Sequence, residues 1–271
     1  MPYNYLLKSN NRTMKITILG CGASAGVPRP NLDWGDCDPA EPKNRRRRAS
    51  ILIEQYGSTI VVDTGADFCH QMIDAKVTKL DAVIYTHMHA DHTNGIDDLR
   101  SYFLSQKKRI PVYGEENTLS YLQHAFGYCF KTPPSSNYPP ILEANKFDAN
   151  VKFIISGKDG NIEILPILQQ HGDINSIGLR IGNVAYCTDI SAINNEVKTK
   201  LRNLKYLILG ALQYKPHNSH LSVSQALDFI AEVKPQKAYL THMHNKLDYN
   251  KLKEILPSNV EPAYDGLSFL A

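Results

Sequence analysis

The chain has 271 residues, 42% of them hydrophobic and 21% charged, enough apolar content for one large core or two fused halves. Its net charge of +3 is too mild to mark a nucleic-acid coat or a membrane surface, and no apolar run approaches the ~20 residues of a membrane span. The five cysteines (Cys21, Cys37, Cys69, Cys129 and Cys187) are odd in number and contain no C-x-x-C pair, which fits reduced thiols of a cytoplasmic protein rather than a disulfide framework.

Residues 1–13 carry one short apolar pair, Leu6-Leu7, and lack the apolar core of a signal peptide, so they are expected to form a flexible leader ahead of a single domain spanning 14–271. Met14 to Gly20 alternates as a strand does, and the glycine-rich Gly20 to Pro28 then turns sharply. Such a loop either cradles a phosphate through backbone N–H groups or is a tight turn beside a site. Its spacing matches neither dinucleotide-binding nor nucleotide-triphosphate loops, so Ser24 is a candidate supporting group only. A polar loop around Trp34 leads to Arg45-Arg46-Arg47-Arg48. A basic run is usually a solvated face, the alternative being that one or two arginines turn into a cleft and pair with a phosphate. Ser50 to Glu54 and Ser58 to Val62, joined at Tyr56-Gly57, predict a hairpin that ends at Asp63-Thr64-Gly65.

Leu80 to Tyr85 is a short apolar run rich in strand formers and reads as a buried strand. It runs into Thr86-His87-Met88-His89-Ala90-Asp91-His92. In extended chain His87 and His89 point the same way. Asp91 and His92 fall at a turn, and Gly95 to Leu104 reads as a helix. A strand-to-helix corner of this kind aims two imidazoles at one point and a carboxylate plus a third imidazole at a neighbouring point, an arrangement suited to two borderline divalent ions. Further on come a strand at Ile110 to Gly114, a helix at Thr118 to Phe126, and an aromatic, proline-rich loop from Gly127 to Pro140 that is either packing or a lid. Asn194 to Leu204 and Ser222 to Val233 have helical spacing, with a strand at Leu207 to Leu209 between them. Thr86-His87-Met88-His89 reappears as Thr241-His242-Met243-His244, again after an apolar strand, which fits two similar halves.

The H-x-H-x-D-H string resembles the signature of the metallo-β-lactamase superfamily. That resemblance implies a four-layer αβ/βα sandwich of the α/β class, with the site at strand ends between two sheets. It also implies three more ligands, each after a short apolar run: His171, Asp189 and His242. The seven residues divide as His87, His89 and His171 on one ion and Asp91, His92 and His242 on the other, with Asp189 shared; Asp63 orients the metal loop without being a ligand. The glycine-rich loop, His89-Ala90-Asp91-His92, Thr188-Asp189, Ser219-His220-Leu221-Ser222 and Leu240-Thr241-His242 together look most like the phosphodiesterase branch. Its phosphoribosyl cyclic phosphate phosphodiesterases are the nearest in pattern, and tRNase Z is more distant.

The resemblance implies a hydrolase holding two divalent ions, zinc or manganese, that acts on a small cyclic phosphate or nucleotide-type phosphodiester, with His220 and Asp91 as catalytic residues. A thioesterase or lactonase on the same ions is the alternative, and a non-catalytic metal-binding protein a weaker one; a homodimer is compatible with each. Two departures stand out. The phosphoribosyl phosphodiesterases hold a structural zinc in a cluster of three cysteines and a histidine, of which only Cys37 and His244 are present here. tRNase Z carries a long tRNA-gripping arm where only 17 residues separate His171 from Asp189, so no such arm is expected.

Overall fold

The computed structural model describes residues 13–192 and 194–271, so the expected leader lies, but for Thr13, outside the described residues. The first half of the chain runs β1 (Lys15–Gly20), β2 (Ser50–Gln55), β3 (Ser58–Val62), α1 (Phe68–Asp74), β4 (Ala82–Ile84), α2 (Ala90–Thr93), α3 (Arg100–Gln106), β5 (Ile110–Gly114), α4 (Glu116–Ala125), α5 (Gly127–Phe130) and β6 (Leu142–Lys146). The second half runs β7 (Phe153–Ser156), β8 (Asn161–His171), β9 (Ile174–Ile181), β10 (Val184–Cys187), α6 (Asn195–Lys200), β11 (Tyr206–Gly210), α7 (Val223–Val233), β12 (Lys237–Thr241), α8 (Tyr249–Ile255), β13 (Val260–Pro262) and β14 (Ser268–Leu270).

These strands form two seven-stranded sheets, β14-β1-β2-β3-β4-β5-β6 and β13-β12-β11-β10-β9-β8-β7. Each sheet is antiparallel on one side and parallel on the other. In the first, pairing is antiparallel from β14 to β3 and parallel from β3 to β6. In the second, it is antiparallel from β7 to β10 and parallel from β10 to β13. The halves repeat one plan, and β14 returns the end of the chain to the first sheet. No described helix is long and apolar enough to cross a membrane.

Period-two alternation explains the layers. Ile51 and Ile53, Ile60 and Val62, and Ala82 and Ile84 join the core that continues into the second sheet. Their neighbours Leu52, Val61, Val83 and Tyr85 point the other way and pack with Phe68, Met72, Leu99 and Leu122 of the covering helices. Both faces of these strands are therefore buried, as parallel strands require, and the four-layer αβ/βα sandwich follows. At the β2–β3 turn both Tyr56 (φ 50°) and Gly57 (φ 69°) have positive φ, the geometry that joins two strands with the right twist.

Two local expectations change. Asp91 and His92 sit inside the short helix α2 rather than at a turn. The helix expected from Gly95 is split into a 3₁₀ turn, Ile96–Leu99, followed by α3. Gly95, just before that turn, is pressed against the neighbouring loop; a Cβ on it would lie 2.3 Å from Gly65 O. The aromatic loop opens with α5, whose Cys129 is buried in the helix-side core and whose carbonyl accepts from Ile141 N, so its base is packing.

Gly65 faces the same constraint from the other side: a Cβ there would stand 2.1 Å from Asp91 O, a backbone atom that cannot swing away. Gly65→Ala is expected to cost about 1–3 kcal/mol, as overpacking does, and to displace Asp91. A urea-denaturation midpoint equal to that of the parent protein would contradict this.

Candidate metal centre

All seven residues expected as ligands, and His220, come together where strands of both sheets end. Asp63 follows β3, and His87, His89, Asp91 and His92 follow β4. His171 is the last residue of β8, Asp189 follows β10, and His242 follows β12. The donor atoms form groups, each within 4.8 Å: His87 with His89 and His171; Asp91 with His92 and His242; His87 with His92 and Asp189; and His171 with Asp189 and His220.

The tautomers follow from the hydrogen bonds that hold each ring. Asp63 accepts from Thr86 N (2.8 Å), Thr86 Oγ1 (2.8 Å) and His92 Nδ1 (2.7 Å). With its hydroxyl proton given to Asp63, Thr86 Oγ1 accepts from His87 Nδ1 at 3.0 Å. His171 Nδ1 donates to Ser219 O at 2.7 Å. His87, His92 and His171 thus donate from Nδ1 and turn Nε2 to the centre, as a bare lone pair in His87 and His171 and, in His92, as one that a cation among the carboxylates would free of its proton.

Those lone pairs fit a cation. His87 Nε2 and His171 Nε2 lie 3.0 and 3.3 Å from His89 Nδ1, while three nitrogens on one tetrahedral zinc ion stand roughly 3.3 Å apart. His89 Nδ1 can donate to at most one of them, so at least one close pair gains nothing from hydrogen bonding. On the other side, His92 Nε2 is buried without a hydrogen-bond partner, 3.2 Å from both Asp91 Oδ2 and Asp189 Oδ2. Asp189 stands between the groups: its Oδ1 lies 3.2 Å from His242 Nε2, 3.7 Å from His171 Nε2 and 3.8 Å from His220 Nδ1. Thr188 Oγ1 donates to Asp189 Oδ2 at 2.6 Å. The donor set fits two divalent ions with a carboxylate between them.

Burial and charge reinforce one another. Burial pushes the His87 imidazole well below its usual pKa. It would do the same to His92, but Asp189, Asp63 and Asp91 together hold that ring well above the usual range. Burial opposes ionisation of Asp189 and Asp91, yet the facing histidines keep both carboxyls well below the usual range. His220 is pushed down to about 3, by burial first and by His242 second.

The centre opens into a cavity of about 870 Å³ whose lining includes Ser24, Asp91, Asp189, Asn218 and His220 but, among the described residues, no lysine or arginine. The basic run does not face this cavity, contrary to the cleft-facing alternative. Arg45 lies over the Trp34 ring at 5.2 Å, Arg47 pairs with Asp74 at 2.5 Å, and Arg48 pairs with Asp67 at 3.0 Å. Nor is the run simply solvated, since Arg46 is only 2% exposed. Arg48 reaches the site indirectly, donating to Ser24 O at 3.2 Å.

A model of the family described as "Beta-lactamase superfamily domain" matches residues 58–243, from β3 to just past His242. The chain belongs to the beta-lactamase superfamily. A solved diphosphatase from the PhnP family superposes with a TM-score of 0.87 at 31% identity, over 96% of this chain and 97% of that one. That likeness and the ribonuclease Z matches place the chain in the superfamily's phosphodiesterase branch, among hydrolases. An octanoyltransferase of Porphyromonas gingivalis is 32% identical over 259 residues, covering 94% of this chain but 51% of that protein. A ribonuclease Z of Methanococcus maripaludis is 29% identical over 130 residues, 46% of this chain and 36% of that protein. The chain spans about half the length, or less, of these curated relatives. Where tRNase Z carries its arm, the residues between His171 and Asp189 are taken up by β9, β10 and their turn.

The counterpart of a structural zinc is not assembled. Cys37 Sγ donates to Leu247 O at 3.4 Å, His244 Nε2 is engaged by Arg29, and among the described residues neither belongs to a group of three metal-ligating side chains. Elemental analysis of Cys37→Ser is expected to give the metal content of the parent protein; loss of one stoichiometric ion would overturn this. Asp63→Asn is expected to weaken metal binding about 10–100-fold, as loss of a ligand-orienting partner does, measured by competition with a chromogenic chelator.

Proposed function

We propose that residues 14–271 form a single metal-dependent phosphoric diester hydrolase domain that acts on a small cyclic phosphate or nucleotide-type phosphodiester. The observation that carries this reading is the convergence of seven donors into two groups joined by Asp189, with His220 beside them. His87, His89 and His171 would hold one ion, and Asp91, His92 and His242 the other, with Asp189 between them. When bound, two such ions, zinc or manganese, supply Lewis acidity toward a phosphoryl oxygen and lower the pKa of water.

The chain's own groups do the rest. Asp63 and Thr86 fix the tautomers of His92 and His87. Asp91, on the cavity wall, accepts a proton from the attacking water. His220, neutral while the cavity is empty, donates an N–H hydrogen bond to the phosphoryl or leaving oxygen, or a proton once a bound phosphate anion has raised its pKa, and Ser24 and Asn218 line the space for the remainder of the substrate. A cavity wall to which the described residues bring no lysine or arginine suits a singly charged diester better than a doubly charged monoester, whose second charge would find no cation among them. Five unpaired cysteines, four of them buried, support a cytoplasmic setting.

A thioesterase is the second reading, favoured by one observation: the octanoyltransferase relative, named for acyl transfer, matches over nearly the whole of this chain. Zinc- and manganese-reconstituted protein should hydrolyse bis-p-nitrophenyl phosphate or a ribose cyclic phosphate. Efficient turnover of an acyl thioester or a lactone, with no diester touched under either metal, would reverse the order of the two readings. Elemental analysis should find two ions per chain, and one fully occupied site with Asp91 and His92 unbound would remove the dinuclear reading. His220→Ala is expected to lose about 10²–10⁴-fold in kcat, the usual worth of a general acid, with both ions retained. Metal lost in step with activity would make His220 a ligand instead.

A further inference from the structure

Arg46 is a buried guanidinium for which the described residues provide no carboxylate within 4 Å. Its side chain donates to neutral acceptors, Leu247 O at 2.6 Å and Asn44 Oδ1 at 3.1 Å from Nη2 and His244 O at 3.4 Å from Nη1, and also meets the Cys37 thiol. Its Nε has no partner. Burying a charge on these terms is unfavourable, and replacing such a group with an apolar one is often neutral or stabilising. The arrangement is therefore hard to explain as a contribution to stability.

What the guanidinium grips explains it better. Leu247 O and His244 O belong to the segment that follows His242, and His242 stands in the left-handed region at φ 55°. A non-glycine residue stays there only where its surroundings over-determine it. Met243 N donates to Cys21 O at 2.8 Å, and Ala23 N donates to Met243 O at 3.1 Å, so the segment is pinned to the glycine-rich loop. Arg46 sits on the far side of that loop, its own backbone exchanging hydrogen bonds with Val27 at 2.8 and 2.9 Å. The brace extends through Asn44, which accepts from Tyr249 N at 2.7 Å and donates to Asp248 Oδ2 at 2.6 Å. One residue thus joins the glycine-rich loop, through its backbone, to the segment after His242, through its planar fork, with contacts about 200 residues apart in sequence.

We propose that Arg46 is a positioning residue for His242: by clamping the carbonyls of His244 and Leu247 against the glycine-rich loop, it holds His242 in the strained pose that aims its ring at Asp91 and Asp189. This rests on the reading of His242 as a ligand. The test is Arg46→Met, which removes the clamp while keeping an apolar body of similar length. Arg46→Lys, which keeps the charge without the fork, serves in its place should the first not fold.

Metal titration of parent and variant comes first. The parent should bind two ions; the variant should keep one at parental affinity and lose 10–100-fold in affinity for the other. Hydrogen exchange of the metal-free proteins is the second readout, and protection should fall only over residues 241–248. Two results would overturn the proposal: parental affinity at both sites with unchanged exchange, or protection lost throughout the chain together with both ions. A parent that binds a single ion would remove the dinuclear reading instead, and the exchange pattern alone would then decide for or against Arg46.

Discussion

The arrangement of the site depends first on the Asp63 carboxylate. It is fully buried at the end of β3 and ties three things together: the backbone and hydroxyl of Thr86 at the end of β4, and the His92 ring on α2. Burial raises its pKa, and His92 and the Thr86 donors pull it back. The same three bonds decide which nitrogen of His92 and, through Thr86 Oγ1, of His87 carries a proton. One carboxylate outside the donor groups thus determines which face two histidines on separate elements present. The strand pairing of β3 with β4 brings these groups within reach, so sheet register and imidazole chemistry are one constraint.

Asp63 also belongs to a set. It has φ 64°, Asp189 has φ 48° and His242 has φ 55°; Asp63 and His242 follow directly on β3 and β12, and Asp189 comes two residues after the end of β10. Left-handed backbone at a non-glycine residue is uncommon and mildly strained. Three instances at one centre show how the fold turns strand ends into donors: a residue that would have continued the pleat is rotated out of it, and its side chain is redirected toward the seam between the sheets. The tight glycines serve the same end. Gly65 and Gly95 let the α2 loop lie directly on the β3 end, so that Asp91 and His92 arrive with little slack.

Legibility followed sequence distance. The β2–β3 hairpin, the β4 strand and the histidine string were readable because their evidence is local: alternation, a turn pair and ligand spacing. His171, Asp189 and His242 were not derivable from spacing and came from the family pattern, since each stands at or just past the end of an ordinary apolar strand. The arginine run was misread because composition describes a surface, whereas the fate of each guanidinium depends on partners far along the chain: Trp34 for Arg45, Leu247 for Arg46, Asp74 for Arg47 and Asp67 for Arg48. Helix α1 had a usable signal in Phe68, Gln71 and Met72, spaced on one face and all buried, but a glutamine in the middle of three such positions hides it. The two-halves plan was hinted at by the repeated tetrapeptide and is carried by the matching antiparallel-then-parallel order of the sheets.

The repeated tetrapeptide shows how backbone conformation, and not residue type, decides what a histidine does. In Thr86-His87-Met88-His89 the chain reaches His89 still extended (φ −62°, ψ 149°), so alternation holds and both rings face one point, their nitrogens 3.0 Å apart. In Thr241-His242-Met243-His244 the first histidine is left-handed, and alternation is broken at once. His242 turns to Asp91 and Asp189, while His244 is carried away to Arg29, and its backbone joins the segment held by Arg46. Four identical residues therefore yield two centre-facing imidazoles in one half and one in the other. The second half supplies its further donors from β8 and from the start of β10's following loop, His171 and Asp189, and this asymmetry lets a carboxylate stand between the two groups where a duplicated pair of histidines would have left only nitrogen.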